Sequence, residues 1–493
     1  MTNVPSFYVE NFGCRAAQAD GAAIARQFCK RGLNRAFSPS NAELVILNTC
    51  TVTASADQDA RAAIRRIHRE NPGCQIIVTG CYAQRAPEEI AVLPGVTQVI
   101  GNSHKHRLAE IVAAPAPAFV SLASLAASSR PPNDPRHIFV SDIFAHTELL
   151  AAPVFEGQAT PGARTRPNLK VQDGCDNRCS FCVIPSVRGQ SRSLPLTQVL
   201  LEVNALVASG YREVVISGIN LGRWGTDLLD HPSFARSARF GMTRGKLGFE
   251  HLVCAILAET SLEKLRLSSI EPMDWSHQLI GMMAESTRIA KHAHVPMQSG
   301  SDRVLRLMHR KYRPWHYREK IEIIRAAMPT AAIGADVMVG FPGETEADFD
   351  ETCRMIDSLP FTYLHVFTYS SRPGTPSATM RDQVPVHRRR ERNRVLWDLA
   401  AEKKLAFMQF FVGKEIEAIT LGSVPALVPA GMAALAQGRD QLADGSNVLG
   451  QGFTEALTDN YLKLRLQGRH AGNRWIKARV ERVEDGYLVG MPA

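Results

Sequence analysis

Nowhere in its 493 residues does the sequence hold an apolar run long enough to cross a bilayer. Its first ten residues lack a basic start followed by an apolar stretch, so no signal peptide is expected and the chain is placed in the cytoplasm. It has no internal repeat. Cysteine is sparse, at ten residues, and in a leaderless chain of this size it points to metal or redox use and away from disulfides. Together these absences set aside membrane transporters and secreted disulfide scaffolds. What is present is ordinary for a globular protein, with 45% hydrophobic and 21% charged residues, and the length suits two or three domains. The net charge of +9 favours a polyanionic partner such as nucleic acid.

The densest chemistry lies in Val171–Cys182, VQDGCDNRCSFC, where Cys175, Cys179 and Cys182 are spaced C-x3-C-x2-C. Gly174 and Asp176-Asn177 supply turn residues around them. Three thiolates this close can hold three irons of one [4Fe-4S] cluster and leave the fourth open to a small molecule. Zinc is the competing reading. Structural zinc takes two separated pairs or a Cys/His mixture, and no second pair or nearby histidine follows.

Three globular regions are separable. The first, residues 1–112, ends at an Ala/Pro/Ser-rich stretch read as a variable linker, 113–166. The second, 167–411, has six short β-rich runs alternating with helical patterns: Leu169–Gln172, Glu213–Ser217, Lys264–Ile270, Ala293–Pro296, Ile333–Gly340 and Leu364–Tyr369. That alternation predicts a parallel sheet, and six units predict an incomplete (β/α)6 barrel with its chemistry on the loops leaving the strands. The cysteine loop follows the first run, Asn220 the second, Glu271 the third, Gln298 the fourth and Gly343 the fifth, which Gly340 ends.

The first region reads as an open parallel α/β sheet with strands at Phe7–Phe12, Leu44–Asn48 and Gln75–Thr79. A cysteine follows each strand: Cys14, Cys50 and Cys81, 36 and 31 residues apart. Ligands of such sheets gather at the carboxyl ends of the strands, which would bring the three thiols together. The competing reading is that they are small buried residues closing the strands. Cys29, Cys74, Cys254 and Cys353 fall in helical or interior patterns and read as buried.

The third region, 412–493, alternates apolar and basic residues in YLKLRL and WIKARVERV, the period of strands with one wet face. From Tyr461 onward seven Lys or Arg face three Asp or Glu. A small β-barrel carrying Lys463, Arg465, Lys477 and Arg479 would suit a phosphate backbone. The basic run His387–Arg394 is a weaker candidate for RNA contact.

The two three-cysteine groups in this order resemble the methylthiotransferase branch of the radical S-adenosylmethionine (SAM) superfamily. The likeness runs through NFGCR, LNTCTVTASAD, VTGCYAQR, VQDGCDNRCSFCVIPSVRGQSRS, RLSSIEP, HVPMQSGSDRVLRLMHRKY, GADVMVGFPGETEADFDET and HVFTYSSRPGTPSA, nearly the whole chain. It implies an N-terminal cluster domain, a radical SAM barrel and a TRAM-like RNA-binding barrel. It also implies two [4Fe-4S] clusters, one on Cys14, Cys50 and Cys81 and one on Cys175, Cys179 and Cys182. SAM would be used twice, with Phe181 near its adenine and Asn220, Glu271, Gln298, Gly340 and Gly343 along its site. tRNA, an external one-electron donor and a sulfur source would be the partners of a monomer. The context of Cys50 is similar to the MtaB type, which methylthiolates N6-threonylcarbamoyladenosine. Types acting on isopentenyladenosine or on a ribosomal-protein aspartate, and a non-catalytic cluster-bearing RNA-binding protein, remain the alternatives. Departures from the pattern are an Arg/Ser-rich insertion near Leu228–Lys246 and an Ala/Pro/Gly-rich interruption around Val424–Gly445.

Overall fold

Runs such as Leu44–Thr49 (LVILNT) and Gln75–Gly80 (QIIVTG) are apolar on both faces, the composition of strands covered by helices on each side. In the computed structural model they do lie at the centre of a six-stranded parallel sheet. Its order is Asn34–Arg35, Ser6–Asn11, Leu44–Thr49, Gln75–Gly80, Val96–Gly101, Ile138–Phe139. The structure describes residues 5–113, 137–146, 148–150, 153–154, 165–228, 247–422, 448–449 and 452–493. Most of the insertion near Leu228–Lys246 and the interruption at Val424–Gly445 lie outside these residues.

Alternate strand residues feed two cores. Val45, Leu47, Ile76 and Val78 pack with Ile64 and Ile67 of the helix Ala54–Glu70. Leu44, Ile46 and Ile77 pack with Ile24 and Phe28 of the helix Arg15–Lys30. Thr53 caps the first of these helices by accepting from the Ala56 N–H at 3.2 Å.

Two compact units divide the chain. The first comprises Met1–Val154, Asp173–Arg192 and Ser370–Ala378, and the second Phe155–Gln172, Ser193–Tyr369 and Thr379–Ala493. The C-x3-C-x2-C loop therefore belongs to the same unit as the N-terminal sheet, although the chain enters it from the first barrel strand.

In the second unit the six expected strands are Asn168–Lys170, Glu213–Ser217, Lys264–Leu267, His292–His294, Ala332–Val339 and Tyr363–Thr368. They fall three and three in two sheets, and neighbours among them run parallel. A parallel bridge between Leu265 and Ile289 and a bond from the Ile270 N–H to the His294 carbonyl at 3.1 Å join them. One face buries Leu169, Val214, Ile216, Leu265 and Leu267, while the other carries Lys170, Glu213, Lys264 and Arg266. Arg266 donates to Glu213 at 2.6 Å, and Lys264 lies 3.4 Å from Asp459. Burying them is tolerable only in such pairs.

The C-terminal region is a closed five-stranded barrel. Its strands Glu415–Thr420, Trp475–Glu484, Tyr487–Pro492, Lys463–Gln467 and Phe453–Thr458 pair in that order and back to the first. Leu462, Leu464 and Leu466 point into its core, so Lys463 and Arg465 point away. The basic run His387–Arg394 starts a 24-residue helix, Val386–Gln409. Two of its arginines turn inward: Arg392 pairs with Glu344 at 2.6 Å, and Arg389 donates to the carbonyls of Val384 and Tyr369.

Candidate active site

The first unit holds all six candidate cysteines and Phe181 in one body, together with Cys29 and Cys74. Cys14, Cys50 and Cys81 leave the carboxyl ends of three adjacent strands whose register pairs Asn11 with Asn48 and Thr49 with Gly80. Their approach depends on glycine. Gly13 has φ of +94°, and a Cβ there would fall 2.7 Å from the Cys50 Sγ. Cys50 and Cys81 are buried and Cys14 is exposed. Burial pushes the Cys50 thiol up to about 11, and the neighbouring Cys81 and Cys14 add to the push. Thiolates crowded in this way are relieved by a cationic metal centre, so the donor set fits an iron–sulfur group. Asn102 donates to the Cys81 sulfur at 3.6 Å.

Cys175, Cys179 and Cys182 are half-buried on one loop. The loop is closed by the Cys175 N–H on the Gly189 carbonyl and the Cys182 N–H on the Cys179 carbonyl, both 3.1 Å. Gly174, at φ +70°, is packed so tightly that a Cβ would sit 1.9 Å from the Gln190 carbonyl oxygen. The Asn177 N–H points to the Cys175 sulfur at 3.4 Å, the kind of contact that favours a ligating thiolate. Three thiols on a loop that itself carries no histidine and no fourth cysteine fit a cluster with one open iron better than zinc.

Two buried polar networks surround these loops, and the sequence reading missed both. Arg188 donates to both oxygens of Asp173 at 2.8 and 3.0 Å, and to Asp20 at 3.0 Å. Lys105 also donates to Asp20, at 2.9 Å. In the second network Asp57 accepts from Thr51 at 2.6 Å, from Arg85 at 2.9 Å and from Arg372. Thr51 follows Cys50 directly, and Arg85 lies in the short helix begun by Cys81. A faint sequence signal existed in Asp20, an acid among the alanines of an apolar helix face. None existed for Arg372.

The remaining SAM candidates lie in the second unit, on loops after barrel strands. The Asn220 N–H donates to Gln172 at 2.7 Å, and Asn220 itself is buried. Glu271 is ion-paired with Arg310. Gln298 takes φ of +63°, with its N–H on the Asp336 carbonyl and its carbonyl accepting from Met338, each at 2.8 Å. The Gly340 N–H donates to Glu344 at 2.6 Å, and Arg389 fills the space where a Cβ would stand. Gly343, at φ +80°, donates to the Asp382 carbonyl at 2.9 Å.

The basic residues of the C-terminal barrel are less isolated than composition suggests. Lys463 and Arg465 lie over the Tyr487 ring, at 5.2 and 4.2 Å. Across the ladder, Arg465 stands opposite Glu455, Lys477 opposite Glu417 and Arg479 opposite Glu415.

A partial barrel with a three-cysteine loop defines a radical SAM enzyme, and the sequence model of the radical SAM superfamily matches residues 169–356. Residues 6–101 match a second model, the uncharacterized protein family UPF0004. The chain is 33% identical to the threonylcarbamoyladenosine tRNA methylthiotransferase MtaB of Aquifex aeolicus, covering 84% of this chain and 92% of that protein. It is 36% identical to the Bacillus subtilis protein of the same name, covering 77% of each. It is 34% identical to the tRNA-2-methylthio-N(6)-dimethylallyladenosine synthase of Novosphingobium aromaticivorans, covering 84% and 86%. Among solved structures, the radical SAM methyltransferase TsrM of Kitasatospora setae, with cobalamin and a [4Fe-4S] cluster bound, shares the fold at TM-score 0.52 and 14% identity, covering 77% of each chain. The chain belongs to the radical SAM tRNA methylthiotransferase family, and is a transferase. Membership implies SAM and a [4Fe-4S] cluster as cofactors. No helix among the described residues is long and apolar enough to cross a membrane.

Proposed function

We propose that this protein 2-methylthiolates N6-threonylcarbamoyladenosine at position 37 of tRNA, using two [4Fe-4S] clusters and two equivalents of SAM. The observation that carries the reading is the pair of three-cysteine groups within one compact unit, one on a single loop and one at the ends of three parallel strands. When bound, the cluster on Cys175, Cys179 and Cys182 would supply the electron that splits SAM, and the second would carry the sulfur to be transferred. Such groups do the hard chemistry, and the protein orients them and keeps competing reactions out.

The chain's own residues have three tasks in this reading. Arg188 and Asp173 clamp the two ends of the cysteine loop, so its thiols keep one geometry. Asp57, Thr51 and Arg85 tie the turn after Cys50 to the helix that begins at Cys81. The outward basic residues of the C-terminal barrel hold tRNA by its phosphates. Residues 1–112, 167–411 and 412–493 act as cluster domain, radical SAM barrel and RNA-binding domain. The threonylcarbamoyl substrate is supported by relatives named for it at 32–36% identity over most of the chain. An external electron donor and a sulfur source complete the reaction.

Nucleoside mass spectrometry of tRNA from a deletion strain tests this. The 2-methylthio form of N6-threonylcarbamoyladenosine is expected to disappear and to return with the gene. Loss of the methylthio form of isopentenyladenosine in its place would assign the other tRNA substrate.

A further inference from the structure

The second unit holds a group of donor side chains that the function above does not use. His294, Asp336 and His365 stand on three adjacent parallel strands, and their ligand atoms lie within 4.8 Å of one another. The His294 Nε2 is 3.3 Å and the His365 Nδ1 3.2 Å from the same carboxylate oxygen, Asp336 Oδ1. We propose that these three side chains form a mononuclear site for a divalent cation of the zinc or iron(II) class that uses no cysteine.

Three observations carry this. The first is metric. A tetrahedral ion held at about 2.0–2.1 Å sets its ligand atoms about 3.3–3.4 Å apart, close to the two separations seen. The second is an unmet need. The His294 side chain is only 9% exposed, and its Nε2 makes no hydrogen bond of acceptable angle despite lying near Asp336. A buried ring nitrogen with only this poorly aligned contact to Asp336 is costly, and a metal bond would satisfy it. The third is chemical. Two imidazoles and one carboxylate suit zinc and non-haem iron(II), and three protein ligands leave a position for water or another oxygen ligand.

The sheet explains why the donors meet. Asp336 pairs with His365 in register, and His294 pairs with Gly334, one same-face position before Asp336. Gly334 has no side chain, and the Tyr363 ring covers it; a Cβ there would fall 2.0 Å from that ring. Tyr363 stacks on His294 at 6.0 Å and receives or donates a 2.7 Å hydrogen bond with His292. The rings are thus held in place on one side, while His365 is open to solvent at 54%.

The probe is zinc, added to the anaerobically reconstituted full-length protein and followed by exhaustive dialysis. Metal analysis is expected to find about one zinc per chain, and zinc X-ray absorption a first shell of nitrogen and oxygen at about 2.0 Å. Asp336→Asn and His365→Ala are each expected to weaken zinc binding by about tenfold or more. His365 is exposed, so its substitution leaves the fold intact, and the visible absorption of the iron–sulfur protein checks this. Equal zinc retention by wild type and both variants, or a shell dominated by sulfur, would overturn the site.

Discussion

Arg188 donates to Asp20 across 168 positions of sequence, joining the helix that leaves Cys14 to the helix that ends the C-x3-C-x2-C segment. Both side chains are almost fully buried, at 2% and 1% exposure. The same guanidinium holds Asp173, two residues before Cys175. One cation therefore ties the helix that follows Cys14 to the segment that carries Cys175, Cys179 and Cys182.

Removing that cation would take a buried charged partner from both Asp20 and Asp173, while Lys105 still donates to Asp20. Arg188→Ala is expected to destabilise the protein by about 3–5 kcal/mol, the usual cost of breaking a buried ion pair from one side. Chemical denaturation of the reconstituted protein measures this. A change below about 1 kcal/mol, the size typical of an exposed pair, would show that the network adds little.

Iron content separates the two groups. Anaerobic reconstitution is expected to give about eight irons per chain, four for each cluster. Changing Cys175, Cys179 and Cys182 together to Ala is expected to leave roughly half of that. Full retention of iron in the triple variant would remove the loop from the list of ligands.

The two groups are expected to differ in task as well. Cys50→Ala should stop sulfur insertion while reductive cleavage of SAM continues, and Cys179→Ala should abolish both. Product analysis by mass spectrometry reads the two activities side by side. Methylthiolated tRNA formed at the normal rate by Cys50→Ala would refute a sulfur-transfer role for the N-terminal group.

Binding of tRNA is expected to fall steeply with salt, because phosphate contacts release counterions. Neutralising Lys463, Arg465, Lys477 and Arg479 should weaken binding and flatten the salt slope, with little change in uncoupled SAM cleavage. The cross-strand glutamates add a test with the opposite sign. Glu415→Gln together with Glu417→Gln unmasks Arg479 and Lys477 and should tighten binding. Filter binding across a salt series measures both. An unchanged affinity and slope in the four-site variant would move the tRNA surface elsewhere.

Much of this was legible in the residues. The C-x3-C-x2-C loop spans eight positions, so its three cysteines need no tertiary structure to be near one another. The six barrel strands were visible because β-rich runs alternate with helical periodicity, and all six form within a few residues of the expected bounds. Strands with weaker patterns escaped notice. Val96–Gly101 carries Thr97 and Gln98, and Ile138–Phe139 is two residues in a stretch read as linker. The basic helix was recognised, but not that Arg389 and Arg392 spend their charge on internal partners.

The sequence by itself determined the order of the elements and the family, because these rest on local spacing and periodicity. Tertiary structure alone decided which distant charges meet. Asp57 and Arg372 are 315 positions apart, and no local pattern marks either as the other's partner. Likewise His294, Asp336 and His365 converge only through strand register, which a one-residue slip would undo by turning each side chain to the opposite face.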